Sequence, residues 1–113
     1  MLDPFPYNGH TTSLDALWMG VPVVSLCGER HVSRAGLSQL SNLGLPELVA
    51  STENQYVEIA TKLANDIPRL KELRATLRQR MEKSVLMDGP HFAWQIEACY
   101  RSMWRQWCES QGT

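Results

Sequence analysis

The stretch Asn8-Gly9-His10-Thr11-Thr12-Ser13-Leu14-Asp15 holds the residue types best suited to binding an anion. A helix that starts just after a glycine presents backbone N–H groups with no intrahelical acceptor, and its dipole puts partial positive charge at the same end. Together these form a ready site for a phosphate group. Thr11 and Thr12 add hydroxyl donors there, and His10 adds a ring N–H or a positive charge. The set suits a pyrophosphate. Asp15 lies one turn further in, where its carboxylate could accept from two vicinal hydroxyls of a ribose. The same residues also read as an ordinary helix start. Thr12-x-x-Asp15 matches a capping box, in which each side chain bonds the other's backbone N–H, with Gly9 making a turn and His10 exposed. Pattern alone leaves both readings open.

Gly28-Glu29-Arg30-His31 is the second candidate, because it follows an apolar run with the character of a strand. Ligands of open α/β sheets bind beyond the carboxyl ends of strands, although charged residues there also serve simply as a solvated turn. Arg69, Lys71, Arg74, Arg78 and Arg80 make one segment basic, but Glu72 and Glu82 interrupt it, so a solvated helix face is expected. Trp94, Trp104 and Trp107 are expected to pack a core or a domain interface rather than stack on bases, and His91 beside Pro90 to be a surface residue. The sequence has no Asp-x-Asp pair, no Gly-x-Ser-x-Gly and no phosphate-binding GxxxxGK[ST] loop. No catalytic residue, metal ligand or cofactor is assigned from this chain.

The elements that must position these residues follow from periodicity. Residues 2 to 9 contain Pro4, Pro6 and Asn8-Gly9 and read as loop. A helix is predicted over about 12–19, stopped by Gly20, and Pro22-Val23-Val24-Ser25-Leu26-Cys27 reads as a buried strand covered on both faces. Ser33 is a candidate cap for a helix with Leu37, Leu40 and Leu43 on one stripe, closed by Gly44. Glu47-Leu48-Val49-Ala50 fits a second short strand. This alternation is the rhythm of a doubly wound α/β sheet. From Thr52 the pattern is helical alone. Thr52-x-x-Gln55 is another capping box, ahead of Tyr56, Ile59, Ala60, Leu63, Ala64 and Ile67 on a core-facing stripe. Pro68 suits a first helical turn, and Leu70, Leu73, Leu77 and Met81 continue a new stripe. Asp88-Gly89-Pro90 reads as a break before a final helix over about 91–108, with Ala93, Ile96, Tyr100, Met103 and Trp107 on one face. The sum is two strands and five helices, an incomplete sheet. Residues 1–50 form an α/β segment, and residues 51–113 a helical tail expected to pack on it as one unit.

Bulk properties narrow the class. With 113 residues, 43% hydrophobic and 20% charged, the chain has room for one domain and is not disordered, collagenous or low in complexity. Eleven Lys and Arg against twelve Asp and Glu leave a formal charge of −1, which gives no strong pull toward nucleic acid or an anionic membrane. Cys27, Cys99 and Cys108 show no metal-site spacing, and their odd count points to a reducing, cytoplasmic address. The apolar stretch Val21 to Cys27 is far shorter than the ~20 residues of a membrane span, and no signal-peptide pattern opens the chain. A start within loop predicts the tail of a longer polypeptide, with Met1 added in cloning. Sheet edges left unpaired predict self-association.

A resemblance adds to this reading. Leu2-Asp3-Pro4, Asn8-Gly9-His10-Thr11-Thr12, Asp15-Ala16-Leu17-Trp18, Gly20-Val21-Pro22-Val23-Val24, Gly28-Glu29, Ser33-Arg34, Ser38-Gln39-Leu40 and Leu43-Gly44 resemble the C-terminal end of the O-GlcNAc transferase family, which includes the SPINDLY-like proteins. The likeness covers nearly the whole chain and is densest over residues 2 to 50. It implies tetratricopeptide repeats followed by a two-lobed GT-B region, of which this chain is an incomplete Rossmann-like C-terminal lobe with a helical tail. By position, Thr11 and Thr12 would bind the pyrophosphate of UDP-GlcNAc, Asp15 the uridine ribose, and His10 would sit beside the phosphates. The implied reaction is metal-independent, inverting transfer of N-acetylglucosamine to Ser or Thr of a protein. The acceptor lobe and its catalytic histidines would lie upstream, so the chain alone is expected to be inactive. Family relatives that transfer fucose from GDP-fucose, or glucose to nitrogen from UDP-glucose, remain open alternatives. So does a catalytically silent interaction module with Trp104 and Trp107 as anchors.

Overall fold

Two glycines and three side-chain caps set the element boundaries. The computed structural model describes residues 1–112. In chain order its regular elements are α1 (Thr11–Trp18), β1 (Ser25–Leu26), α2 (Ala35–Asn42), β2 (Val49–Ala50), α3 (Glu53–Asn65), α4 (Ile67–Glu82) and α5 (Gly89–Gln111). Short 3₁₀ turns lie at His31–Ser33, Pro46–Leu48 and Val85–Met87. Gly20 and Gly44 end α1 and α2 at φ +79° and +71°, a region that glycine enters without steric cost. Gly20 is required twice over, since a Cβ there would come within 2.8 Å of the Arg74 carbonyl oxygen.

Thr52 caps α3, its Oγ1 accepting from the Gln55 N–H at 3.2 Å, and Gln55 Oε1 returns the bond to the Ser51 N–H at 2.8 Å. Asp66 accepts from the Arg69 N–H and caps α4, with Pro68 in the first turn. Asp88 accepts from the His91 N–H and caps α5 in the same way. The Asp88-Gly89-Pro90 run, read from sequence as a break before a helix at about 91, is therefore the start of that helix. Proline at the second helical position lacks only an N–H that would have had no partner there.

Three further expectations are corrected. The Thr12–Asp15 capping box does not form: α1 begins at Thr11, its cap is His10, and there is no side-chain capping hydrogen bond. Ser33 does not cap α2, whose N-cap is Arg34; the Ser33 hydroxyl is taken up by the Arg30 carbonyl oxygen at 2.8 Å. Leu2 and Asp3, the start of the stretch 2 to 9 read as loop, pair with Val24 instead. Leu2 bridges Val24 in parallel register, with Asp3 N–H donating to Val24 O at 2.9 Å and Val24 N–H to Met1 O at 3.0 Å. The loop-forming prolines begin only at Pro4, so these first residues keep the N–H groups that pairing needs.

On its other side β1 pairs in parallel with β2, Ser25 opposite Val49 and Leu26 opposite Ala50, with α2 as the crossover. Pro22, Val23, Val24 and Ser25 are buried, as the apolar run requires. The core gathers Leu17 of α1, Val23, Leu40 of α2, Leu43, Leu45, Leu48 and the Leu73, Leu77 and Met81 stripe of α4. Arg78 ties α4 to α1 by lying over the Trp18 ring, 4.9 Å from its centroid, and donating to the Trp18 carbonyl oxygen at 3.0 Å. α3 adds half-buried Tyr56, Ile59 and Leu63. α5 departs from the expectation of a packed tail: none of its described residues is buried, and Tyr100, Met103 and Trp107 of its apolar face are at least half exposed. It adjoins the Val85–Met87 turn and then runs on, giving the molecule a longest extent of 62 Å. Trp104 and Trp107 stack on each other, centroids 5.3 Å apart, instead of entering a core. No described helix is long and apolar enough to cross a membrane.

Candidate functional site

The start of α1 is held from beneath by a buried polar cluster. Asp3 is 1% exposed, and among the described residues its carboxylate forms no ion pair. Oδ1 accepts from the Gly9 N–H at 2.8 Å and the Ser13 hydroxyl at 3.3 Å, and Oδ2 accepts from the Ser25 hydroxyl at 2.6 Å. These donors replace the water that an ionised carboxylate would otherwise need. The Tyr56 hydroxyl donates to the Asp3 carbonyl oxygen at 2.9 Å. Burial first, and then the Asp3 charge, hold the Tyr56 phenol above its usual range, so it remains a donor.

Asn8 completes the support. It is also 1% exposed. Its amide donates to the Pro4 carbonyl oxygen at 3.0 Å, its own carbonyl accepts from the Gly36 N–H at 3.3 Å, and its backbone N–H reaches Val32 O at 2.8 Å. Gln39 of α2 donates to the His10 carbonyl oxygen at 3.3 Å. The Leu2–Asp3 segment, β1, α2 and the start of α1 are thus joined around one polar centre. Glycine is needed at position 36, where a Cβ would overlap Ser25 Oγ and lie 2.8 Å from Asp3 Oδ2.

On the outer side of this support, His10, Thr11, Thr12 and Asp15 are all exposed. Leu14 N–H donates to His10 O at 3.0 Å, and the N–H groups ahead of it have no intrahelical acceptor. The Thr11 and Thr12 hydroxyls and the Asp15 carboxylate make no hydrogen bond within the described residues. The Tyr7 ring stacks on His10, centroids 5.9 Å apart.

Two clefts flank the region. One, of about 690 Å³, is lined by His10 together with His31, Arg34, Ser38 and Asn42. The other, of about 510 Å³, lies at the carboxyl ends of β1 and β2 among Phe5, Leu26, Gly28, Arg30 and Thr52. The Gly28–His31 turn therefore borders both, and Arg34 braces it by donating to Gly28 O at 2.8 Å. Of the four residues singled out from sequence, the structure brings His10 into a cleft. Thr11, Thr12 and Asp15 stand on the open surface beside it. No group of three or more His, Cys, Asp or Glu side chains that could hold a metal occurs among the described residues. Sequence reasoning gave no supporting role to Asp3, Asn8, Ser13, Ser25 and Gly36. The one available signal was Ser25, a polar residue inside an otherwise apolar strand.

The chain is similar over 96% of its length to a protein of Petunia hybrida named probable UDP-N-acetylglucosamine–peptide N-acetylglucosaminyltransferase SPINDLY, at 48% identity over 108 residues. It is 40% identical over 100 residues to the UDP-N-acetylglucosamine–peptide N-acetylglucosaminyltransferase of Caenorhabditis elegans. A solved structure of a Thermobaculum terrenum O-GlcNAc transferase mutant superposes on 96% of the chain with a TM-score of 0.88 and 45% identity. The chain spans 12% and 9% of those two relatives and 21% of the solved one. An α/β unit with free donors at a helix start, matched by these proteins, falls in the class of glycosyl transferases. The family model for glycosyl transferase family 41 matches residues 1–96, and the chain belongs to that family.

Proposed function

We propose that this chain forms the pyrophosphate- and ribose-binding part of the nucleotide-sugar site in a protein O-glycosyltransferase that transfers N-acetylglucosamine from UDP-GlcNAc with inversion. On this reading it is an incomplete Rossmann-like C-terminal lobe of a GT-B protein that follows tetratricopeptide repeats in the cytoplasm. The acceptor protein meets regions upstream, the lone chain is inactive, and its unpaired sheet edge lets it self-associate. The observation that supports this best is the start of α1, where the Thr11 and Thr12 hydroxyls are unengaged and the turn before them is anchored to buried Asp3 and Asn8. Thr11, Thr12 and the first amides would bind the diphosphate, His10 would adjoin it, and Asp15 would accept from the ribose hydroxyls.

The chemistry follows from where charge develops. As the bond to the sugar breaks, negative charge grows on the departing nucleoside diphosphate. Donors already fixed at the helix start stabilise that charge more than they stabilise the bound substrate, which lowers the barrier. Loss of one such donor costs about 2–4 kcal/mol of barrier in comparable sites.

The test is titration of UDP into the full product of the gene that encodes this chain. Thr12→Ala and Asp15→Ala are each expected to weaken binding at least about tenfold, or ~1.4 kcal/mol, with the fold intact. Unchanged affinity in both variants removes the donor-site assignment. GDP competing better than UDP would instead favour fucosyl transfer. A second reading has its own observation, the exposed aromatic face of α5 with Trp104 and Trp107. If α5 serves a silent interaction module, Trp107→Ala removes a bound partner while UDP has no effect.

A further inference from the structure

Burying a carboxylate without a cation is costly, and a well-packed apolar side chain is often as good or better for stability alone. Asp3 is nevertheless 1% exposed and held by three neutral donors. The surroundings are shaped to admit it: a Cβ on Gly9 would lie 3.3 Å from Oδ1, and one on Gly36 would lie 2.8 Å from Oδ2. What the carboxylate holds is specific. Gly9 N–H is the last amide before the cap of α1, and its bond to Oδ1 turns that amide inward. The amides that follow belong to the free end of the helix. The same oxygen takes the Ser13 hydroxyl, which would otherwise be available to compete for backbone groups in the first turn.

We infer that Asp3 is a positioning residue for the diphosphate site: through Gly9 and Ser13 its carboxylate fixes the path of the Gly9–Thr12 turn, and so the direction in which Thr11, Thr12 and their amides point. This rests on the donor-site reading of the preceding section. It also opposes electrostatics, because a negative charge placed behind an anion site repels the anion. The two effects therefore predict opposite signs for one substitution. Asp3→Asn keeps an oxygen for the Gly9 N–H, lets the Ser25 hydroxyl rotate to accept from the new amide, and removes the repulsion. Asp3→Ala removes the anchor and the charge together.

The experiment is UDP titration of the full gene product carrying Asp3→Ala, Asp3→Asn, Thr12→Ala, Asp15→Ala or the Asp3→Ala/Thr12→Ala pair, with melting temperatures recorded for each. Positioning predicts that Asp3→Ala weakens UDP at least about tenfold and that Asp3→Asn stays within about threefold of the parent or binds more tightly. It also predicts a pair that is clearly less damaging than the product of the two single effects, because both act on one turn. A purely structural Asp3 would lower the melting temperature while leaving the affinity of the folded protein unchanged. Folded Asp3→Ala binding UDP as the parent does, while Thr12→Ala binds it weakly, overturns the inference alone. Unchanged binding in Thr12→Ala, together with unchanged binding in Asp15→Ala, overturns the donor-site reading and this inference with it. Should Asp3→Ala fail to fold, Ser13→Ala removes one of the two bonds through which the carboxylate holds the turn. Weakening of about threefold or more then supports positioning, and unchanged affinity overturns it.

Discussion

Gly36→Ala sets two ordinary effects against each other at the second position of α2. Helix propensity favours alanine by up to about 1 kcal/mol. Packing opposes it. The new methyl would overlap Ser25 Oγ, lie 2.5 Å from Ser25 Cβ and 2.8 Å from Asp3 Oδ2, so α2 must move away from β1 or Ser25 must leave its rotamer. Overpacking of a filled interior costs about 1–3 kcal/mol. Displacing Ser25 also breaks its 2.6 Å bond to the buried carboxylate, and a bond to a charged group contributes about 1.5–3 kcal/mol. The net expectation is destabilisation of about 2–5 kcal/mol, so the local preference for alanine loses. Urea unfolding followed by circular dichroism measures it, with the slope checked for equality to the parent. Adding Ser25→Gly removes both serine atoms in the way and should recover part of the loss, a coupling that only neighbours in contact show. A Gly36→Ala variant as stable as the parent, or more so, would refute the packing argument and with it the close approach of α2 to the Asp3 cluster.

Leu77→Ala should destabilise by about 2–5 kcal/mol in the same assay, because Leu77 is fully buried between helices, and a loss below about 0.5 kcal/mol would show that α4 does not pack as described. Tyr56 should make stability fall at high pH. Its phenol is held above its normal value in the folded state, so the neutral form favours folding, a contribution fully present below the unfolded value of about 10 and lost as pH rises through the folded one. Melting of the parent should therefore decline more steeply than that of Tyr56→Phe from about pH 9 to 12, and parallel curves would contradict the bond to Asp3.

Local rules made much of the chain legible. Gly20 and Gly44 terminate helices where their lack of Cβ predicts it, and Thr52 with Gln55 forms its capping box, because both devices are complete within a few residues. The stripe of Leu73, Leu77 and Met81 enters the core, as its spacing requires. Local rules failed where a distant partner claimed the same atoms. Thr12 and Asp15 have the spacing of a box, yet the turn before them is anchored through Gly9 to Asp3, and the helix starts at Thr11 without a side-chain cap. Ser33 had the composition of a cap, but its hydroxyl went to the Arg30 carbonyl. The apolar face of α5 shows the opposite failure. Periodicity tells that a face is apolar, and nothing in it tells whether a neighbour is present to cover it.

The order of helices, the apolar stripes and the donor-rich Gly9–Thr12 stretch were written in the sequence, because each depends on residues within one or two turns of one another. The buried centre that holds the stretch was not. It brings Asp3, Asn8, Ser13, Ser25, Gly36 and Tyr56 together from five separate segments. Hydrogen bonds that close over such distances in the chain leave no periodic trace, so only the packing of the Leu2–Asp3 segment, β1, α1, α2 and α3 could decide them.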